Sequence, residues 1–145
     1  MKEVHIYIEV DSVSPKETKK WYGYVLECSL HGEPKTVDGS GLVLGTYHRA
    51  TLTAITEALG RLNQTCEVHI HLKDEFVANM MEQNLDRWAG MGFVTTKGKP
   101  VANQEEWMRI WALAQKQLLL TEIGNHTYSG WLQGEIRSRK EKENV

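Results

Sequence analysis

The stretch Val4-His5-Ile6-Tyr7-Ile8-Glu9-Val10 alternates apolar and polar side chains with the two-residue period of a β-strand. A second strand-like run covers residues 67–72, and a segment with helical spacing, residues 49–62, lies between the two. The first run ends near Glu9 and the second is followed by Lys73. Ligands of open α/β sheets gather at the carboxyl ends of parallel strands, so these two opposite charges bear directly on function.

The other segments predict a mixed sheet. Strand-forming residues at 21–28 and 35–44, joined by a turn at 31–34, indicate an antiparallel meander with the first strand. A fifth strand is predicted at 118–123, and further helices are predicted at 74–81, 85–88, 104–117 and 129–139. The order of elements predicts an α/β fold, a five-stranded mixed sheet of an antiparallel meander plus parallel strands, with helices on its faces.

Composition favours one compact domain, because 145 residues that are 41% hydrophobic can bury a single core. We place that domain at residues 1–140, followed by a frayed, charged C-terminal tail that begins around Lys140. Cys28 and Cys66 are isolated and have no zinc-site spacing, which predicts reduced thiols and a cytoplasmic protein. No signal peptide or membrane anchor is expected, and the net charge of -2 gives no general attraction to a phosphate backbone.

Several ordered patterns over residues 4–123 are similar to those of one known enzyme family. Arg49-Ala50-Thr51-Leu52 resembles the family's Arg-Met-Glu-Leu helix start, and Cys66-Glu67-Val68 with Phe76-Val77 resembles its fourth strand and the next helix. The most specific match is a set of residues in the family's order: Trp88, Gly92, Lys99-Pro100-Val101, Asn103 and Trp107. Together these patterns resemble type 1 ribonuclease H, and the resemblance implies a ribonuclease H-like fold. It also implies hydrolysis of the RNA strand of RNA/DNA hybrids by two magnesium ions that four carboxylates hold.

Most of those carboxylates are replaced in this chain. The first falls on Glu9, the second on Thr51 and the third on Lys73, while the terminal helix offers only Glu135 near the position of the fourth. Two divalent cations would lie beside an ammonium with too few carboxylates, so we expect no metal or other cofactor. We predict a catalytically inactive domain in which Glu9 and Lys73 form an ion pair across neighbouring parallel strands.

Two alternatives remain open. One is an active ribonuclease that uses Mg²⁺ or Mn²⁺ and takes displaced ligands from Glu9, Asp11 and Asp74, although recruiting Asp74 needs a register slip that turns its side chain to the other face. The other is a metal-binding module built from histidines that alternate along the strands: His5, His69 and His71. We expect instead that the first helix covers this strand face and packs these histidines into the core.

The expected partner is either nucleic acid, as an RNA/DNA hybrid or duplex, or another protein; no membrane partner is expected. Arg49, Lys97 and Lys99 are the candidate phosphate contacts, with solvated surface charge as the alternative interpretation. His126 matches a histidine in the family's loop before the terminal helix. Without its metal partners we interpret it as an ordinary loop residue.

Overall fold

The computed structural model describes residues 1–143 and contains a five-stranded mixed sheet. Its strands are β1 (Lys2–Val10), β2 (Thr18–Leu30), β3 (Glu33–Gly45), β4 (Cys66–Leu72) and β5 (Leu118–Ile123). The spatial order is β3-β2-β1-β4-β5. The first three strands pair antiparallel, whereas β4 runs parallel to both β1 and β5. The predicted sheet is confirmed, including the parallel pairing of β1 with β4.

The β2–β3 hairpin is longer than predicted, because its turn shortens to residues 31–32, both of which have positive φ. Two-residue hairpin turns favour that conformation. Gly39 lies opposite Tyr24 and Gly41 lies opposite Tyr22. A β-carbon at either glycine would overlap the facing tyrosine ring, so these glycines make room for the rings and β3 continues through them.

The helices are α1 (Tyr47–Leu59), α2 (Glu75–Gln83), α3 (Leu85–Gly90), α4 (Gln104–Ala114) and α5 (Ser129–Glu143). The predicted frayed tail is wrong for residues 140–143, which continue α5. Lys140 helps to hold this part of the helix, because its Nζ lies 3.0 Å from Asp11 Oδ2. Asn144 and Val145, the end of the predicted tail, lie outside the described residues. None of the helices in the described part of the chain is long and apolar enough to cross a bilayer.

The sheet has one strongly apolar face, which α1 covers. Ile6 and Ile8 of β1 belong to the main core together with Leu52 and Ile55 of α1. Each such buried side chain contributes about 1.5–3 kcal/mol of transfer free energy. Since strand side chains alternate between faces, the odd-numbered residues of β1 point the other way.

The opposite face carries a smaller cluster of Tyr7, Val25 and Leu132 of α5. His5 therefore lies on the α5 side of the sheet. The expectation that the first helix covers the histidine face is wrong, because the even-numbered apolar residues of β1 hold α1 on the other face.

Candidate active site

Glu9 lies near the carboxyl end of β1 and is only 2% exposed. Lys73 Nζ (2.9 Å) and Gln133 Nε2 (2.7 Å) donate to its Oε1 atom. Ser129 Oγ and His126 Nε2 each lie 3.0 Å from its Oε2 atom. A carboxylate offers about four lone-pair positions. The protein's own donors therefore fill the acceptor capacity of Glu9.

The Glu9–Lys73 ion pair expected from the sequence is present. Lys73 directly follows β4, and the parallel register that pairs Tyr7 with His71 brings Lys73 level with Glu9. Burial on its own would raise the pKa of Glu9, but hydrogen bonds from His126, Gln133 and Lys73, together with the Lys73 charge, outweigh it and lower that pKa. Glu9 is therefore an anion at neutral pH, and its charge is matched by Lys73.

His126 is not an ordinary loop residue, and that interpretation is wrong. Its side chain is only 2% exposed. Nδ1 accepts a hydrogen bond from the backbone N–H of Tyr128 at 3.2 Å, which leaves Nε2 as the donor. Nε2 lies 3.0 Å from both the Ile8 carbonyl oxygen and Glu9 Oε2. The imidazole thus fixes the end of β1 and orients the Glu9 carboxylate.

Helix α5 contributes Gln133, which the sequence analysis did not identify. Ser129 and Gln133 are four residues apart and face Glu9 from one side of the helix. The Gln133 amide donates to Glu9 Oε1 and also to the Val10 carbonyl oxygen at 3.0 Å. Glu135, proposed from the sequence as the nearest acid, is two residues further along and therefore points in a different direction. An amide thus occupies the position where an acid was expected.

Thr51 and Lys73 line one cleft of about 230 Å³ beside Glu9, together with Tyr47 and Asp74. Thr51 is 1% exposed, and its Oγ1 has no hydrogen-bond partner among the described residues. Burial, then the nearby charges of Asp74 and Glu9, raises the pKa of Tyr47 to about 12, so its hydroxyl stays protonated. The cleft is therefore lined by a protonated tyrosine and a lysine beside the Glu9 carboxylate, while the Thr51 hydroxyl is buried in its wall.

The alternative metal ligands are engaged elsewhere. Asp74 caps α2 by accepting from the Val77 backbone N–H at 3.1 Å, and its other oxygen lies 2.7 Å from His48 Nδ1. Asp11 accepts from the Trp21 N–H at 3.1 Å with Oδ1, while its Oδ2 pairs with Lys140. Mg²⁺ takes oxygen ligands in near-octahedral geometry. This donor set does not fit a pair of magnesium ions.

The candidate phosphate contacts are dispersed. Arg49 on α1 forms an ion pair with Glu106 of α4, with 3.3 Å between Nε and Oε1. Lys97 and Lys99 are exposed on the turn between Val94 and Pro100. None of the three lines the cleft beside Glu9.

The fold agrees with the comparisons with known proteins at the level of family. A ribonuclease H of Campylobacter curvus (strain 525.92) is 32% identical over 107 residues, which cover 74% of this chain and 69% of that protein. The chain belongs to the ribonuclease H family. No protein-family model matches the chain.

Two solved structures share the fold of this ribonuclease H-family chain. A type 1 RNase H with the type 2 active-site motif gives a TM-score of 0.73 at 14% identity, covering 95% of this chain and 70% of that chain. The foamy viral protease-reverse transcriptase in complex with dsDNA gives 0.70 at 18% identity, covering 94% and 92%. At these identities the likeness establishes the fold alone.

Proposed function

We propose that this ribonuclease H-family domain binds nucleic acid and does not hydrolyse it by a two-metal mechanism. The observation that carries the proposal is the Lys73 ammonium 2.9 Å from Glu9 Oε1. Three further donors, from Ser129, Gln133 and His126, contact the same carboxylate. A divalent cation brought to Glu9 would meet a fixed positive charge and find no free carboxylate lone pair. A two-metal mechanism needs two such cations, so the same unfavourable charge and filled lone pairs oppose both of them.

Lys73 also gives the cleft a hydrogen-bond donor for a phosphate group. Lys73 uses one N–H for Glu9, its ammonium carries three in total, and its side chain is 39% exposed. The Tyr47 side chain lines the same cleft, and its hydroxyl stays protonated. Phosphate oxygens accept hydrogen bonds from such groups, so the ammonium would contact the backbone where the family's metals would hold it. The foamy viral neighbour, which was solved with dsDNA, offers a precedent for nucleic-acid binding by this fold.

The test separates binding from cleavage on a labelled RNA/DNA hybrid. We expect binding that weakens with salt and no cleavage with Mg²⁺ or Mn²⁺. Lys73→Ala removes the proposed phosphate contact and should weaken binding about threefold to tenfold. Lys116→Ala is the matched control, since Lys116 is exposed and lies outside the cleft. It should change affinity less than Lys73→Ala.

Parallel preparations of Glu9→Gln and Asp74→Asn distinguish the protein's own cleavage from a contaminating nuclease. Metal-dependent cleavage that either substitution abolishes would contradict the proposal and favour the active ribonuclease with displaced ligands. Cleavage that neither substitution changes comes from a contaminant. A folded protein that binds neither hybrid nor duplex at low salt would contradict the nucleic-acid partner and favour a protein partner.

A further inference from the structure

The same four residues, Glu-Val-His-Ile, occur in β1 at positions 3–6 and in β4 at positions 67–70. The two strands pair in parallel so that Glu3 lies opposite Glu67 and His5 lies opposite His69. Alternation puts all four of these side chains on the α5 face of the sheet. Two carboxylates and two imidazoles therefore meet at the amino ends of β1 and β4, at the opposite end of these strands from Glu9.

The donor atoms in this cluster are spaced for one metal ion. Glu3 Oε1 lies 2.9 Å from His5 Nε2 and 3.4 Å from His69 Nε2. The ligand atoms of these three residues all lie within 4.8 Å of one another. Zinc bonds of about 2.0–2.1 Å place tetrahedral ligand atoms about 3.3 Å apart. A small rearrangement would therefore place the three atoms around a zinc ion.

Glu67 is the nearest further ligand, with its Oε2 atom 2.9 Å from His69 Nε2. Glu3 and Glu67 lie directly opposite each other on neighbouring strands, where like charges repel, so a cation bound between the two carboxylates would be favoured. The Glu3 side chain is 56% exposed and the Glu67 side chain is 37% exposed, which leaves solvent access for an entering ion.

The third histidine is placed to orient His5. His5 Nδ1 lies 2.8 Å from His71 Nε2, and His71 Nδ1 lies 3.2 Å from Glu122 Oε2. A metal bound to His5 Nε2 would leave the proton on Nδ1, which would donate to His71; His71 would in turn donate to Glu122.

We propose that Glu3, His5 and His69 bind one transition-metal ion of the Zn²⁺ class, with Glu67 as the fourth ligand and His71 as a positioning residue. Two imidazoles and two carboxylates suit Zn²⁺ or Co²⁺ better than Mg²⁺, which prefers oxygen ligands and bound water. The set differs from the sequence-based group of three histidines, because His71 faces His5. The site joins two strands that are far apart in sequence, and it does not depend on the proposed function.

The test uses untagged, metal-free protein titrated with Co²⁺ and then with Zn²⁺. We expect one ion per chain, a visible Co²⁺ spectrum typical of tetrahedral coordination and its loss when Zn²⁺ displaces Co²⁺. Glu3→Gln and His69→Asn should each weaken Zn²⁺ binding at least about tenfold. The matched control is His31→Asn: His31 is an exposed histidine in the hairpin turn with φ of 54°, a conformation that Asn also adopts.

Two results for the wild type and the His31→Asn control would overturn the metal site. One is wild-type protein that binds no stoichiometric Zn²⁺ or Co²⁺. The other is binding that His31→Asn weakens as much as Glu3→Gln does, because scattered surface histidines would then account for it. His69 is partly buried, so folding of its variant is checked by circular dichroism. Glu3→Gln alters an exposed side chain, and unchanged affinity in that variant would by itself contradict the proposal.

Discussion

Both ends of the β1–β4 pair hold carboxylates close to histidine rings, but the two ends differ in burial and in charge balance. At the carboxyl end Glu9 is buried, and donors that include Lys73 and His126 fill its oxygens. At the amino end Glu3 and Glu67 face each other across the strands, and their side chains are much more exposed. The pairing cancels charge at one end and leaves two acids together at the other. The partners of Glu9 include an ammonium, whereas the partners of Glu3 and Glu67 are imidazole nitrogens that can themselves bind a metal. The amino end is therefore the better candidate for a metal site.

The contrast also shows how protein groups balance the charge of Glu9 at the carboxyl end. A cluster of carboxylates without metal is destabilised by repulsion among its members. Here Lys73 supplies the balancing charge, and Gln133, Ser129 and His126 supply neutral donors. The carboxyl end is therefore satisfied by protein groups alone. Folding of this region should be independent of divalent cations.

The largest effect should come from returning carboxylates to the carboxyl end. The triple variant Lys73→Asp, Thr51→Glu and Gln133→Asp removes the ammonium and restores acids at three positions around the cleft. We expect Mg²⁺-dependent cleavage of an RNA/DNA hybrid to rise on the order of 100-fold above the background measured with the wild-type preparation. A gel-based cleavage assay with purified protein measures it.

The double variant Lys73→Asp with Thr51→Glu is the control that isolates Gln133. Its activity should remain well below that of the triple variant, because the Gln133 amide would still hydrogen-bond to Glu9 in place of a third introduced acid. A triple variant that is folded, binds the hybrid and fails to cleave would show that losing the carboxylates does not explain the inactivity we propose. Equal activity of the two variants would show that an acid in place of Gln133 does not contribute to cleavage.

A smaller effect should appear in stability when Glu9 alone is changed. Glu9→Gln replaces the acceptor of a buried network and leaves at least one donor unpaired, which should lower the free energy of unfolding by about 1–3 kcal/mol at pH 7. Urea unfolding measures it. Glu17→Gln, on an exposed loop, should change it by less than about 0.5 kcal/mol.

The pH dependence of that difference has a definite sign. The pKa of Glu9 in the folded protein lies below its ordinary value of 4.5, so the unfolded chain binds its proton first as the pH falls. The stability that Glu9 contributes is therefore complete above about pH 5 and is lost as the pH falls through the folded-state pKa. The free energies of unfolding of the wild type and Glu9→Gln should therefore become equal at acidic pH. A gap that widens below pH 4.5 would contradict the ionised network.

Much of the fold follows from the sequence, because strand alternation and the order of elements depend on near neighbours. The same local rules placed Lys73 beside Glu9, since both are tied to strands that pair in register. The prediction that α1 covers the histidine face of the sheet was wrong. Alternation separates two faces of β1 but does not say which helix covers each one, and Tyr7 makes the second face partly apolar as well.

The rest of the Glu9 network could not be predicted from local patterns. His126 and Gln133 reach Glu9 across more than a hundred residues of chain, and their contacts depend on where α5 packs on the sheet. An amide also carries no signal of metal chemistry. The amino-end cluster did have a sequence signal, the repeated Glu-Val-His-Ile, but its meaning depends on a register that pairs the two copies level with each other.

The smallest effect should come from His71, which touches the proposed metal site only through His5. His71→Phe keeps an aromatic ring against Tyr7 and removes the acceptor for His5 Nδ1. We expect Zn²⁺ affinity, measured by competition with a chromophoric chelator, to fall about tenfold and the Co²⁺ spectrum to shift. Glu122→Gln changes only the acceptor that faces His71 Nδ1, so it should lower Zn²⁺ affinity less than His71→Phe does. If His71→Phe changes neither affinity nor spectrum while Glu3→Gln abolishes binding, the histidine contact does not orient the ligand, and Glu3, His5 and His69 bind the ion without it.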